Sequence, residues 1–247
     1  MKSFNLFGYE ISINKKSAKS DLLKDIDTTY YSTIPSLTNA ITLKAHQETM
    51  DYISKYVDLS EVTLCDNRWK NIEFCLQRVK NLAGMYTEFG VYTGRSINYI
   101  AKRIGGNRVH GFDSFEGLPD DWSGFNMQSG HFNLKGSLPA VEENVILYKG
   151  WFDKTLPMFL KQNNEKVAFL HMDSDIYDST KTVLDLLAKR LQVGTVIVFD
   201  EYFNYPNWQN HEFKAFQEFV IENGIKFKYI SFGKLQVGVE ITALGDD

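Results

Sequence analysis

Apolar positions along this chain fall into two rhythms. From about residue 38, Ile41, Ala45, Met50, Ile53 and Val57 recur near the spacing of one helical face, and the pattern predicts a second helix over 68–82. After residue 84 the rhythm changes to short apolar runs at 85–89, 108–112, 145–148, 167–172 and 195–199, separated by helical segments. Such alternation marks a parallel sheet wound with helices on both faces. Two further runs, 226–231 and 235–241, are joined by only a few residues around Gly233. A connection that short permits only a hairpin, so the last strand must run antiparallel to its neighbour. The expectation is an α/β, Rossmann-like sheet of seven strands, mostly parallel, over residues 84–247. An N-terminal arm and helical cap precede it over residues 1–83.

The arm begins MKSFNLFGYEISI, where Asn5, Gly8 and Glu10 interrupt the apolar residues. It reads as neither a signal peptide nor a bilayer span, which takes about 20 apolar residues. Its bland reading is a loose arm or an edge strand; the alternative is a peripheral membrane or partner contact through Phe4, Leu6, Phe7 and Tyr9. The polar, proline-containing span 25–39 is a candidate lid.

Of the 247 residues 43% are apolar and 23% charged, enough to bury a sizeable core. A net charge of −4 without a basic stripe weighs against nucleic acid as a partner. Cys65 and Cys75, read as lying in one helix, suit a reducing cytoplasm better than a disulfide scaffold.

In open α/β sheets ligands bind beyond the carboxyl ends of the strands, so each strand end is a place to look for chemistry. The run 85–89 leads into EFGVYTGRS, residues 88–96. Gly90 and Gly94 let the backbone turn tightly and approach a ligand. The stretch through Val91 and Ser96 opens the next helix, whose amides supply donors and a partial positive charge. The spacing is G-x-x-x-G, not the G-x-G-x-x-G of dinucleotide enzymes. Glu88 repels a pyrophosphate but suits a cationic group such as an amino acid's ammonium. Asp113, beside Ser114, ends the second strand at the distance from the glycine loop where ribose hydroxyls are held. Together these features favour an adenosine-type ligand with an amino-acid-like end, which S-adenosylmethionine matches. After the third strand Gly150, Trp151 and Phe152 lie where an adenine ring could be sandwiched; core packing explains the two aromatics equally well.

The fourth strand runs into HMDSDIYDST and the fifth into VIVFDEY. Asp173 and Asp175 therefore converge with Asp200 and Glu201 across adjacent strands about 4.8 Å apart. Unpaired, these carboxylates would raise one another's pKa. A divalent cation removes that cost, and an all-oxygen set points to magnesium, manganese or calcium. Alternation along a strand would put Asp173 and Asp175 on one face, one ligating the metal and the other accepting a proton from a sugar or phenol hydroxyl under methylation. His171 is a candidate second base. Asp178 or Ser179 is expected to cap the following helix. Tyr177, Tyr202, Trp208 and His46 are candidate groups of the acceptor pocket.

As an ordered set, EFGVYTGRS, GFDSFEGLP, GWFDKTLP, DSDIYDST and FDEY resemble the macrocin O-methyltransferase family over roughly residues 84–205. The resemblance implies a class I methyltransferase sheet, magnesium dependence, a homo-oligomer and a sugar-hydroxyl acceptor. Carried over by position, it implies Asp173, Asp200 and Glu201 as metal ligands, Asp175 as general base, and Glu88, Gly90, Ser96, Asp113 and Trp151 as cofactor contacts. Two departures stand out: Asp-Ser-Asp where the family usually reads Asp-Gly-Asp, and Asp200-Glu201 where it reads Asp-Asp. The strongest rival is a metal-dependent glycosyltransferase using Asp173-Ser174-Asp175 as a D-x-D motif. It explains neither the glycine loop with Glu88 nor the second carboxylate strand.

Overall fold

The structure, a computed structural model, describes residues 2–6, 9–13 and 36–245, the first two stretches as backbone only. The chain divides into two compact units, residues 1–43 and 44–247. In the first, β1 (Lys2–Leu6) and β2 (Tyr9–Ile13) pair as an antiparallel hairpin with Leu6 opposite Tyr9. The proposed contact through Phe4, Leu6, Phe7 and Tyr9 rests on side chains outside the described residues, and so does most of the candidate lid. No helix among the described residues is long and apolar enough to cross a membrane.

Helix α1 (Leu37–Tyr56) enters the second unit at Lys44. There follow β3 (Thr63–Leu64), α2 (Arg68–Arg78), β4 (Met85–Phe89), α3 (Arg95–Ala101), β5 (Val109–Asp113), β6 (Val145–Lys149) and α4 (Phe152–Gln162). The chain continues through β7 (Val167–Met172), α5 (Tyr177–Leu187), β8 (Val196–Phe199), α6 (Glu212–Glu222), β9 (Lys226–Phe232) and β10 (Val237–Ala243). The main sheet has the order β3-β9-β10-β8-β7-β4-β5-β6. All its pairings are parallel except those of β10, which runs antiparallel to both β8 and β9. The seven predicted strands are present, with the last antiparallel. The eighth, β3, escapes a reading by apolar runs because it is two residues long and exposed on both.

The unit boundary falls at 43/44 rather than at residue 83. The reason is packing: Ile72, Cys75 and Leu76 of α2 and its C-cap Val79 share a buried cluster with Ile97 and Ile100 of α3 and with Tyr86, Val109, Val196 and Val198 of the sheet. On the other face, Ile197 and Phe199 join Ala45 and Ile53 of α1, Leu156 of α4, Leu184 of α5 and Phe216 of α6. Successive β8 residues thus serve opposite cores, as strand alternation requires. A second correction concerns the cysteines. Cys65 precedes the α2 N-cap Asn67, whose side chain accepts from the Lys70 N–H, so only Cys75 is helical; both are free thiols.

Candidate active site

From β4 the chain proceeds outward to β5 and β6, then returns to the other side of β4 for β7 and β8. The strand order therefore reverses between β4 and β7, where open sheets bind ligands. The glycine loop leaves β4 at this point. Gly90 has φ +91°, and a Cβ there would run into the backbone carbonyl of Asp173. The loop is braced from β5: Val91 and Tyr92 N–H donate to Asp113 Oδ2 at 2.8 and 2.7 Å, and Phe115 N–H donates to Asp113 Oδ1 at 2.6 Å. Asp113 thus shapes the loop as well as facing the cavity. Gly94, with φ +80°, caps α3.

The turn after β7 departs from strand alternation. The strand ends at Met172, and Asp175 takes the left-handed conformation, φ +65°. Asp173 and Asp175 are brought together by this turn, not by sharing a strand face. The Ile176 N–H donates to Ser174 O at 2.7 Å, and Ser174 Oγ bonds with Thr180 Oγ1 at 2.9 Å. Helix α5 consequently starts at Tyr177 with Ile176 as N-cap and no side-chain cap. Asp178 and Ser179 lie in its first turn, lining the cavity, and do not cap it.

Four carboxylates converge at the ends of β7 and β8. Two groups have ligand atoms within 4.8 Å of one another: His171 with Asp173 and Asp200, and Asp173 with Asp175 and Glu201. The expected trio Asp173, Asp200 and Glu201 is thus split between two sets that share Asp173. Burial and the Asp200 charge push the Asp173 carboxyl up to about 7, against the pull of His171 and Arg68. Burial, followed by neighbouring negative charge, raises Asp175 and Glu201 well above the ordinary carboxylate range. For Asp200 burial acts upward, but His171 and Arg68 together hold it below its usual value.

A cation suits this arrangement. Among the described residues, Asp200 Oδ1, Glu201 Oε2 and His171 Nε2 are buried without a hydrogen-bond partner. Orphaned acceptor oxygens in a buried carboxylate cluster are atoms that a hard divalent ion would satisfy.

His171 and Glu88 lie beneath the cavity, both fully buried. His171 Nδ1 is 3.0 Å from Glu88 Oε2, and Ser96 Oγ donates to Glu88 Oε1 at 3.0 Å. On the other side His171 Nε2 stands 3.8 Å from Asp200 Oδ1, an ion pair too long for a hydrogen bond. Burial opposes the imidazolium, but Asp200 and Glu88 outweigh it and push the pKa up to about 10. His171, expected as a second base, is fully buried and does not line the cavity. Glu88 is held by Ser96 and His171 and does not itself line the cavity.

Two further charged residues belong to the cluster. Arg68, the first residue of α2, places Nη2 3.1 Å from both Asp173 Oδ2 and Asp200 Oδ2. Glu212, the first residue of α6 and fully buried, accepts from the Ser174 N–H on Oε1 at 3.3 Å and from the Glu201 N–H on Oε2 at 3.2 Å. It staples the two carboxylate-bearing turns together. Neither was visible in the sequence, because each opens a helix that a periodicity reading treats as scaffold, and Arg68 lies 105 residues before Asp173.

A cavity of about 600 Å³ lies over these strand ends, lined by Gly90, Val91, Ser96, Asp113, Ser114, Trp151, Phe152, Asp173, Asp175, Asp200 and Glu201 among others. Gly94 and Gly150 shape its loops without lining it. Its outer wall comes from the connection between β5 and β6: Leu118, Trp122, Phe125 and Phe132. Trp122 and Phe125 pack together at 4.4 Å between centroids, and Phe125 packs on Tyr205 at 4.8 Å. The sequence signal for this wall was the density of aromatics in a long span without helical periodicity.

None of the four candidate acceptor residues lines the cavity. Tyr202 is fully buried, and its hydroxyl accepts from Gln217 Nε2 at 2.9 Å. Trp208 packs edge-on against Phe213 at 4.7 Å within the core. Tyr177 donates to Glu218 Oε2 at 2.5 Å under Lys214. His46 lies on α1. Apolar packing claimed the first two, and the early start of α5 turned the third away.

Residues 38–231 match the family model described as Macrocin-O-methyltransferase (TylF). Demethyldecarbamoylnovobiocin O-methyltransferase of Streptomyces niveus is 28% identical over 165 residues, 56% of this chain and 61% of that protein. A tetracenomycin-C 4'-O-methyltransferase of Streptomyces olivaceus is 27% identical over 162 residues, 55% of this chain and 60% of that protein. The chain thus spans about three fifths of the length of these two curated relatives. Mycinamicin III 3''-O-methyltransferase of Micromonospora griseorubida is 25% identical over 210 residues, 74% and 82% of the two chains. Among solved structures, the calicheamicin methyltransferase CalS11 superposes with a TM-score of 0.60 at 20% identity, covering 84% of this chain and 94% of that one. The O-methyltransferase NovP superposes with a TM-score of 0.54 at 24% identity, covering 71% and 80%. These two share the fold.

Proposed function

The chain belongs to the macrocin O-methyltransferase family, and on that premise we propose that it transfers a methyl group from S-adenosylmethionine to a sugar hydroxyl, with a divalent metal, magnesium first among the candidates. The observation that carries the reading is the meeting of Asp173, Asp175, Asp200 and Glu201, two of them with orphaned buried oxygens, at the floor of a cavity that opens onto the glycine loop. The names of the relatives, which include methyltransferases of novobiocin-type, tetracenomycin and mycinamicin substrates, support a glycosylated or sugar acceptor.

The loop from Gly90 to Ser96 and the strand end at Asp113 cradle the cofactor, with Trp151 and Phe152 beside its adenine. Asp173 and Glu201 hold the metal with Asp200 behind them. When bound, the ion supplies a Lewis acid that lowers the pKa of the acceptor hydroxyl and fixes its direction. Asp175, in a left-handed turn facing the same cavity, accepts the hydroxyl proton as the oxygen attacks the methyl carbon and the sulfonium's S–CH3 bond breaks, releasing the neutral thioether S-adenosylhomocysteine. Leu118, Trp122, Phe125 and Phe132 cover the far side and exclude water. The same reading makes the protein a homo-oligomer, which sedimentation measures directly.

Calorimetry with S-adenosylmethionine and with nucleotide sugars, each with and without magnesium, tests the reading, followed by mass spectrometry of products from a panel of free, nucleotide-linked and aglycone-linked sugars. Cofactor binding and a metal-dependent methylated sugar are expected. Tight nucleotide-sugar binding without S-adenosylmethionine binding would sink it in favour of a glycosyltransferase.

A further inference from the structure

The geometry points to Arg68 as a built-in counter-cation that competes with the divalent metal for Asp173 and Asp200 and so sets how tightly the site holds the ion. The inference rests on the metal part of the function proposed above. One nitrogen of the guanidinium lies 3.1 Å from Asp173 Oδ2 and 3.1 Å from Asp200 Oδ2, bridging the ends of β7 and β8. Asp173 is the carboxylate common to both groups whose atoms lie close enough to hold an ion. A metal placed there would therefore share a ligand with Arg68, and the two positive charges would repel across a few ångströms in a half-buried setting. Asp200 is 1% exposed, and its Oδ1 has no hydrogen-bond partner, so a cation still has an open acceptor to bind.

The sign follows from charge count. Affinity of an oxygen site for a hard cation rises with its net negative charge. Among the described residues, Arg68 at the cavity wall and, when protonated, His171 below it are the positive groups against this cluster. Arg68 arrives from the first turn of α2, anchored by Asn67 as N-cap, so its reach into the cluster depends on where that helix starts. Were Arg68 only a brace for the aspartates, its removal would loosen the ligands and weaken the metal instead.

The test is Mn²⁺ binding, followed by electron paramagnetic resonance and calorimetry, in the wild type, Arg68→Met and Arg68→Lys. Met keeps the length of the side chain without its charge. The expected result is a Mn²⁺ dissociation constant at least about tenfold lower for Arg68→Met, with Arg68→Lys remaining within about threefold of wild type. Thermal unfolding gives a second readout: Mn²⁺ should raise the melting temperature of Arg68→Met more than that of the wild type, because tighter binding to the folded state stabilises more. Equal or weaker Mn²⁺ binding in Arg68→Met would overturn the proposal, and so would the absence of Mn²⁺ binding from all three proteins. S-adenosylmethionine binding, measured on the same samples, reports separately on the methyltransferase reading.

Discussion

Gly90 lies back to back with Asp173. A Cβ at Gly90 would collide with the Asp173 carbonyl oxygen, while the Asp173 N–H donates to Phe89 O at 2.9 Å. The glycine loop and the carboxylate turn are therefore positioned by one another's backbone. Gly90→Ala should lose at least about 2 kcal/mol of stability, since both the steric clash and φ +91° oppose it, and should weaken S-adenosylmethionine binding. Gly105→Ala is the control: its φ is +61° but nothing lies within 4 Å, so a cost of about 1 kcal/mol and normal binding are expected. Thermal unfolding and calorimetry of the two variants check the contrast.

Asp175→Asn should abolish turnover and spare cofactor affinity. Asn tolerates the left-handed backbone that Asp175 adopts at φ +65°, so the turn survives while the proton acceptor is lost. Near wild-type turnover in this variant would remove Asp175 as the base.

Glu212→Ala leaves the Ser174 and Glu201 N–H groups without their acceptor. Each unpaired buried donor costs about 1–3 kcal/mol, and the two carboxylate turns lose their common anchor. The melting temperature and Mn²⁺ affinity should both fall, with S-adenosylmethionine affinity less affected. Glu212→Gln, which keeps one acceptor oxygen, should recover part of the loss. Equal loss of metal and cofactor binding in Glu212→Ala would mean general unfolding of the site.

Trp122→Ala removes the centre of the aromatic wall, where Trp122 is buried against Phe125. The acceptor KM should rise by about tenfold or more while cofactor affinity stays put, because Trp122 packs on Phe125 and Tyr205, which belong to other segments than the glycine loop. Steady-state kinetics with whichever sugar of the proposed panel is methylated separates the two effects; an unchanged KM would remove the wall from acceptor binding.

Acid should destabilise the fold partly through His110. Burial disfavours its charged form and lowers its pKa from 6.5, with Glu165 acting weakly in the opposite direction. The unfolded chain then takes up a proton at a higher pH than the folded one. Its contribution is intact above pH 6.5 and declines as pH falls from 6.5 toward the lower folded value. Melting temperatures between about pH 7.5 and about pH 5.5 should fall less steeply for His110→Gln than for the wild type; identical slopes would rule His110 out as a contributor.

The sequence by itself determined the sheet and the chemistry at its edge. Apolar runs locate strands because a parallel sheet buries both faces, and the few polar residues such strands carry, Thr87, Glu88 and His171 here, are hydrogen-bonded inside the sheet; Met85–Phe89 and Val167–Met172 are accordingly legible to the residue. The acids of DSDIYDST and FDEY announce themselves because charge at a buried strand end requires a reason. What periodicity could not reach was decided by packing between distant segments. Arg68 and Glu212 join the carboxylates only because α2 and α6 lie against the sheet with their first residues at its carboxyl edge. His171 is enclosed between Glu88 and Asp200, which favour its protonated form, because the strands on either side of it carry those two carboxylates. Tyr202 and Trp208 disappear into the core because aromatic area is buried wherever neighbours allow, and those neighbours are a property of the folded chain. Local composition names the reactive groups; their charge state and partners depend on residues that only the tertiary structure brings within a few ångströms.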